Sequence, residues 1–221
     1  MYRNLIDLFK ENEGKGAVGA FNVHCFEMLP AMVRAAEELG VPVILQTSLG
    51  TARYIGFEPL IAAVKAIAEK SAVSVALHMD HCKDIDALKE AIDKGYSSVM
   101  YDGSSLSLEE NIKNTKEVVA YAHERNVSVE GEVGSIGGAE EGVVVAKDDA
   151  MYTKPEDALY FAENTGVDAL AVSIGTTHGQ YKSKAKINYE LLAELKAKLG
   201  DTGLVLHGGT GVSDEDMRRL S

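Results

Sequence analysis

Three histidines stand at the ends of apolar runs: His81 in LHMDHC, His178 in SIGTTHG and His207 in LVLHGGTG. Each run reads as a β-strand. In a parallel α/β sheet the strand C-termini share one edge, so residues far apart in sequence can meet there. Three imidazoles around one divalent ion leave a fourth position for substrate, the arrangement of a catalytic zinc rather than a structural one. A histidine at a strand end is otherwise a packed or hydrogen-bonded residue. The competing expectation is a polar ring at the sheet edge with no metal.

Asp80 precedes His81. Neighbours in a regular strand point to opposite faces, so both serve one site only where the strand ends or bulges. Asp80 would then act as a general acid/base; the alternative is a hydrogen bond to a neighbouring loop. His78 lies two residues deeper on the same face as Asp80 and reads as packing. Asp102 and Glu132 also end strand patterns. They are candidate partners of the imidazoles, or ligands themselves, against a reading as solvated carboxylates. Cys82 suits zinc chemically but ranks below the histidines, as a third donor from one short segment. The run His207-Gly208-Gly209-Thr210-Gly211 sets small residues and a hydroxyl directly after a strand. Successive backbone N–H groups there can cradle a phosphate, or the run is only a tight turn.

These residues need strands and helices to place them. Strand-like runs occur at Ala17–Val23, Pro42–Thr47, Val73–His78, Ser97–Tyr101, Val127–Glu132, Ala169–Ile174 and Leu204–His207. They mostly lack polar alternation, as strands buried on both faces do. Helical patterns cover an N-terminal amphipathic stretch and Glu27–Leu39, Pro59–Lys70, Ile85–Lys94, Leu108–Arg125, Pro155–Thr165 and Tyr189–Leu199. Gly40, Gly95, Gly166 and Gly200 follow helix ends, and Ser107 and Ser213 are N-cap candidates. Steady β/α alternation without a dinucleotide fingerprint points to a TIM (β/α)8 barrel. Residues 1–221 then form a single catalytic barrel domain. The eighth strand and C-terminal part are absent from this pattern, so the domain is expected to be incomplete at that end. Between Glu132 and Pro155 lies a long glycine-bearing stretch with Glu140 and Glu141, placed where a barrel enzyme keeps a mobile lid.

Composition narrows the classes. The net charge of −12 and the lack of a basic, aromatic-laced cluster speak against nucleic acid. Two cysteines, Cys25 and Cys82, make no disulfide framework. No apolar run approaches the roughly 18 residues that cross a bilayer, and the N-terminus lacks a signal-peptide core. No membrane partner is expected, and a cytoplasmic location is.

With these pieces assembled, the chain resembles the class II, metal-dependent ketose-bisphosphate aldolases, of the fructose-bisphosphate and tagatose-bisphosphate type. The likeness runs through AFNVH, QTS, LHMDHC, SSVMYDGS, EGEVGSIGGAEEG, the stretch ending SIGTTHGQY, and LVLHGGTGV. It implies that His81, His178 and His207 bind Zn²⁺, and that Asp80 is the proton donor. Asp102 and Glu132 would hold the metal in an alternative, buried position. Glu140 would handle the C1 proton of dihydroxyacetone phosphate. Asn22 and Ser48 match polar residues near the substrate. Gly179, Gly208, Gly209 and Thr210 match triose-phosphate-binding segments, with Gly179 and Gly208 also assisting a monovalent cation, Na⁺ or K⁺. Family members often carry Glu-Asp-Gly where this chain has Glu140-Glu141-Gly142, and Ser in place of Thr210. An Asn-containing segment that completes their phosphate site has no counterpart here.

The resemblance implies a lyase of carbohydrate metabolism, glycolysis included. It would reversibly cleave fructose 1,6-bisphosphate to dihydroxyacetone phosphate and glyceraldehyde 3-phosphate through a zinc-stabilised ene-diolate. No lysine Schiff base is required. Relatives are dimers or tetramers, so a homo-oligomer, by default a homodimer, is expected, with a phosphorylated sugar as substrate. Tagatose 1,6-bisphosphate is the alternative substrate. Two alternatives of other classes are a catalytically impaired sugar-phosphate-binding barrel and another metal-dependent sugar-phosphate enzyme.

Overall fold

The computed structural model describes residues 1–221 except 135, 137, 141–142, 146–151, 180 and 182–183. Close backbone contacts divide the chain into two compact units. The first comprises Met1–Tyr101 and Glu117–Val129, the second Asp102–Lys116 and Glu130–Ser221. The fold class is the expected one: an α/β fold of the TIM-barrel kind, with parallel strands alternating with helices.

In the first unit, β1 (Gly19–Asn22), β2 (Val43–Ser48), β3 (Val75–Cys82) and β4 (Ser98–Tyr101) pair in chain order and in parallel. Helices α1 (Leu5–Glu11), α2 (Met28–Leu39), α3 (Leu49–Ile55), α4 (Phe57–Lys70) and α5 (Ile85–Lys94) cover this sheet. Leu8, Leu45, Leu60, Leu77, Met79 and Leu88 are among its buried core residues. Helix α6 (Leu108–His123) and strand β5 (Ser128–Val133) each run from one unit into the other.

In the second unit, β5 pairs with β8 (Ala169–Val172), and β8 with β9 (Gly203–Val205), all parallel. A short antiparallel hairpin, β6 (Gly138–Glu140) and β7 (Val143–Val145), occupies part of the long stretch after β5. The lid expectation for that stretch falls largely on residues 141–142 and 146–151, outside the described residues. Helices α7 (Pro155–Thr165), α8 (Tyr189–Leu199) and α9 (Asp214–Leu220) complete the unit around Phe161, Leu170 and Leu195.

The helix ends follow from local chemistry. Side chains of Asn4, Ser48, Asp84, Asn188 and Ser213 each accept a hydrogen bond from a first-turn N–H. Ser107 does the same for Glu110. Gly40, Gly95 and Gly166 close their helices in the left-handed conformation, whereas Gly200 takes φ 58°, ψ −113°.

Four strands differ from the sequence expectation, and one of them, β9, ends at Val205, two residues before His207. β1 is exposed along its whole length rather than buried on both faces. Among the described residues it pairs with β2 alone, so it forms an edge. β8 stops at Val172, because Ser173 N–H turns to the Thr153 hydroxyl at 2.7 Å instead of the ladder. β3 runs four residues past His78, through Asp80 and His81 to Cys82. It does so with a register irregularity against β4 between Met79 and Cys82, and with His81 at φ 45°. A positive φ in a residue with a Cβ costs about 1–3 kcal/mol and marks strain stored at a site. Such an irregularity is the break in the strand that would let neighbours Asp80 and His81 turn to one side.

Candidate active site

Register in the first unit builds a polar row across three strands. Asn22 of β1 lies opposite Gln46 of β2, and Ser48 of β2 opposite Asp80 of β3. Gln46 Nε2 donates to Asn22 Oδ1 at 2.7 Å and to Asp80 Oδ2 at 2.8 Å. The two hydrogens of one amide therefore tie both side chains. Asp80 is only 3% exposed, and its other oxygen, Oδ1, has no hydrogen-bond partner among the described residues. That oxygen lies 3.9 Å from His81 Nε2. A buried carboxylate oxygen left without a donor is costly unless something else supplies one.

The neighbours of this row have other work. His78 is buried and its Nδ1 sits 2.7 Å from the Ser98 hydroxyl, in keeping with packing. Cys82 Sγ turns to the Asp84 carbonyl at 3.5 Å. The Ser48 hydroxyl caps α3, accepting from Thr51 N–H at 3.2 Å.

In the second unit, His178 and His207 face each other with ring centroids 5.6 Å apart and planes at 51°. Glu130 Oε1 lies 2.8 Å from His207 Nε2, and both side chains are buried. Asp102 Oδ1 accepts from Ser104 N–H at 3.1 Å and from the Ser104 hydroxyl at 2.6 Å, which fixes the carboxylate beside β4. Glu132 is buried on β5, and its carbonyl accepts from Asn111 Nδ2 at 2.8 Å. Burial of Asp102 and Glu132 sets aside the solvated-carboxylate reading. Glu140 ends β6; its side chain lies outside the described residues.

The glycine segments after β8 and β9 are tied together. Tyr181 Oη accepts from Thr177 N–H at 2.7 Å and donates to the Gly208 carbonyl at 2.9 Å. Gly208 has φ +70°, and a Cβ there would stand 2.5 Å from the Thr177 carbonyl oxygen. At Gly209 an added Cβ meets nothing within 4 Å. Gly208→Ala should therefore destabilise the protein by at least about 1–2 kcal/mol from the backbone conformation alone, before any overlap is counted. Gly209→Ala should be close to neutral for folding. Urea unfolding of both variants decides it, and equal midpoints would remove the close-packing role assigned to Gly208. Gly179, at φ +81°, faces open space, and Thr210 is exposed.

Two residues at the site were not singled out from the sequence, although both lie in segments that carry the resemblance: Gln46 in QTS, which holds Asp80, and Glu130 in EGEVG, which holds His207. A further signal was Glu130's place two residues before Glu132, on the same face of a buried strand.

The donor set fits a divalent ion. Neutral imidazoles and carboxylates suit zinc, and a carboxylate bonded to the far nitrogen of a ligating histidine is a recurrent feature of such sites.

Comparison with known proteins identifies the family. Residues 4–221 match the family model for class II fructose-bisphosphate aldolases. A fructose-bisphosphate aldolase of Staphylococcus aureus is 40% identical over 215 residues, covering 96% of this chain and 74% of that protein. A sulfofructosephosphate aldolase of Alkalicoccus urumqiensis is 39% identical, covering 97% and 74%. The crystal structure of the YdjI aldolase from Escherichia coli K12 superimposes with a TM-score of 0.84 at 34% identity, covering 98% of this chain and 76% of that one.

Proposed function

Since the chain belongs to the class II fructose-bisphosphate aldolase family, and is therefore a lyase, we propose that it reversibly cleaves fructose 1,6-bisphosphate to dihydroxyacetone phosphate and glyceraldehyde 3-phosphate. The observation that carries this reading is the buried, unpartnered oxygen of Asp80 beside His81. In this reading His81, His178 and His207 hold Zn²⁺, and Asp102 and Glu132 hold it in an alternative position. When bound, the ion supplies Lewis-acid stabilisation of negative charge at the ketone oxygen.

The protein's own groups do the rest. Asp80 Oδ1 takes the C4 hydroxyl proton in cleavage and returns a proton to the aldehyde oxygen in synthesis. Gln46 keeps Oδ2 occupied, so that Oδ1 is the oxygen presented. Glu140 protonates the triose carbon released when the C3–C4 bond breaks. Backbone N–H groups at Gly179, Gly208, Gly209 and Thr210 hold the phosphate, and carbonyls of Gly179 and Gly208 assist a monovalent cation. Asn22 and Ser48 contact the substrate's hydroxyls. The protein works as a homo-oligomer in the cytoplasm, in carbohydrate metabolism. No helix among the described residues is long and apolar enough to cross a membrane.

A second substrate reading has its own support, because the sulfofructosephosphate aldolase is as similar as the fructose-bisphosphate enzyme. Triose-phosphate release from fructose 1,6-bisphosphate, tagatose 1,6-bisphosphate and sulfofructose phosphate separates the readings. Fructose 1,6-bisphosphate is expected to turn over fastest. EDTA should abolish the activity and Zn²⁺ restore it. Activity that survives complete metal removal, or no cleavage of any of the three by the metal-loaded protein, would sink the proposal.

A further inference from the structure

We infer that Glu130 is a positioning residue that fixes the proton of His207 on Nε2 and thereby presents Nδ1 as the ligand nitrogen. The inference rests on the metal-site reading above. Glu130 Oε1 and His207 Nε2 are 2.8 Å apart, with side chains 4% and 8% exposed. A carboxylate oxygen accepts hydrogen bonds, so the 2.8 Å contact points to Nε2–H as the donor. A neutral imidazole carries one N–H, which leaves the lone pair on Nδ1.

His207 needs such a strut more than a histidine within a strand does. β9 ends at Val205, two residues earlier, so His207 lies past the paired strand. Gly208 follows at φ +70°, a sharp turn directly after it. His178 lies 5.6 Å away, ring to ring, so a small rotation of His207 would change the angle between the two ligands. β5 supplies acids at 130 and 132 on one face. Glu130 is thereby committed to the histidine, and Glu132 stays apart from that contact.

The test uses the full chain stripped of metal. Zinc affinity is measured by competition with a chromophoric chelator, and ring-nitrogen NMR reads the His207 tautomer in the unsubstituted protein. E130A should bind zinc about 10- to 100-fold more weakly. E130Q should lose less, because its amide oxygen still accepts from Nε2–H. The NMR signals should show Nε2 protonated and Nδ1 bare. A His207 protonated only on Nδ1 overturns the inference, as does E130A binding within twofold of the parent. E130Q binding as weakly as E130A would assign the effect to charge and overturn the tautomer role. If E130A fails to fold, E130Q and the NMR measurement still decide. His207→Ala keeps the two failures apart: zinc retained there sinks the metal site itself. Zinc lost there but held normally by E130A sinks only the role of Glu130.

Discussion

Asp80→Ala lowers kcat by about 10²- to 10⁴-fold while zinc stays bound, the range expected for losing one general acid/base group. The expectation follows from how differently the carboxylate's two oxygens are engaged. Oδ2 is tied to Gln46 at 2.8 Å, and Oδ1 is buried without a donor. A residue kept only for packing would have both oxygens satisfied or would be replaced by an apolar one. Removing the side chain leaves the proposed ligands His81, His178 and His207 in place, so metal content should hold. Asp80→Asn is the sharper variant, since it keeps the shape and a hydrogen-bonding oxygen for Gln46 but moves no proton. Both variants are read by kcat, by KM and by elemental zinc analysis, with urea unfolding as the check on folding. Near-full turnover in Asp80→Asn would overturn the assignment. Loss of zinc in step with activity would reassign Asp80 to the metal.

The sequence carried the helices well because their ends are written in side chains. Pro155–Thr165, Tyr189–Leu199 and Ile85–Lys94 have the expected bounds, each set by a proline or capping residue at one end and a glycine at the other. α3 escaped because seven residues with few apolar positions show no clear period; Ser48 and Gly56 at its ends were its only marks. Strand ends were less legible, since they depend on partners. β3 continues through His81 because β2 pairs as far as Asp80, which nothing in LHMDHC announces. The same holds at the site. The histidines stood out as candidates because few residue types can bind zinc. Gln46 and Glu130 did not, because an ordinary Gln or Glu gains its role only from the residue that register and topology set opposite it.

His207→Ala should remove the metal as well as the activity. Glu130 acts on zinc only through this ring, so losing the ring must cost more affinity than the about 10- to 100-fold expected for losing its hydrogen-bond partner. Excess zinc should therefore fail to restore turnover, in contrast to the EDTA-treated parent. The substitution has a second consequence. It leaves the buried Glu130 carboxylate without the Nε2 donor it now has at 2.8 Å, and a buried polar group deprived of its partner costs about 1–3 kcal/mol, more when charged. Weak metal binding could then be confused with poor folding. The double substitution of His207→Ala with Glu130→Gln separates the two. A neutral amide at 130 is cheaper to bury than a carboxylate, so the double variant should regain part of the unfolding free energy lost by the single one. Its zinc affinity should stay as low, because the ligand nitrogen is still missing. Elemental analysis after dialysis against limiting zinc reads the occupancy, and urea unfolding reads the stability. Full occupancy in His207→Ala would show that the ion is held without this ring. Recovery of zinc binding in the double variant would show that the loss was one of folding rather than of a ligand.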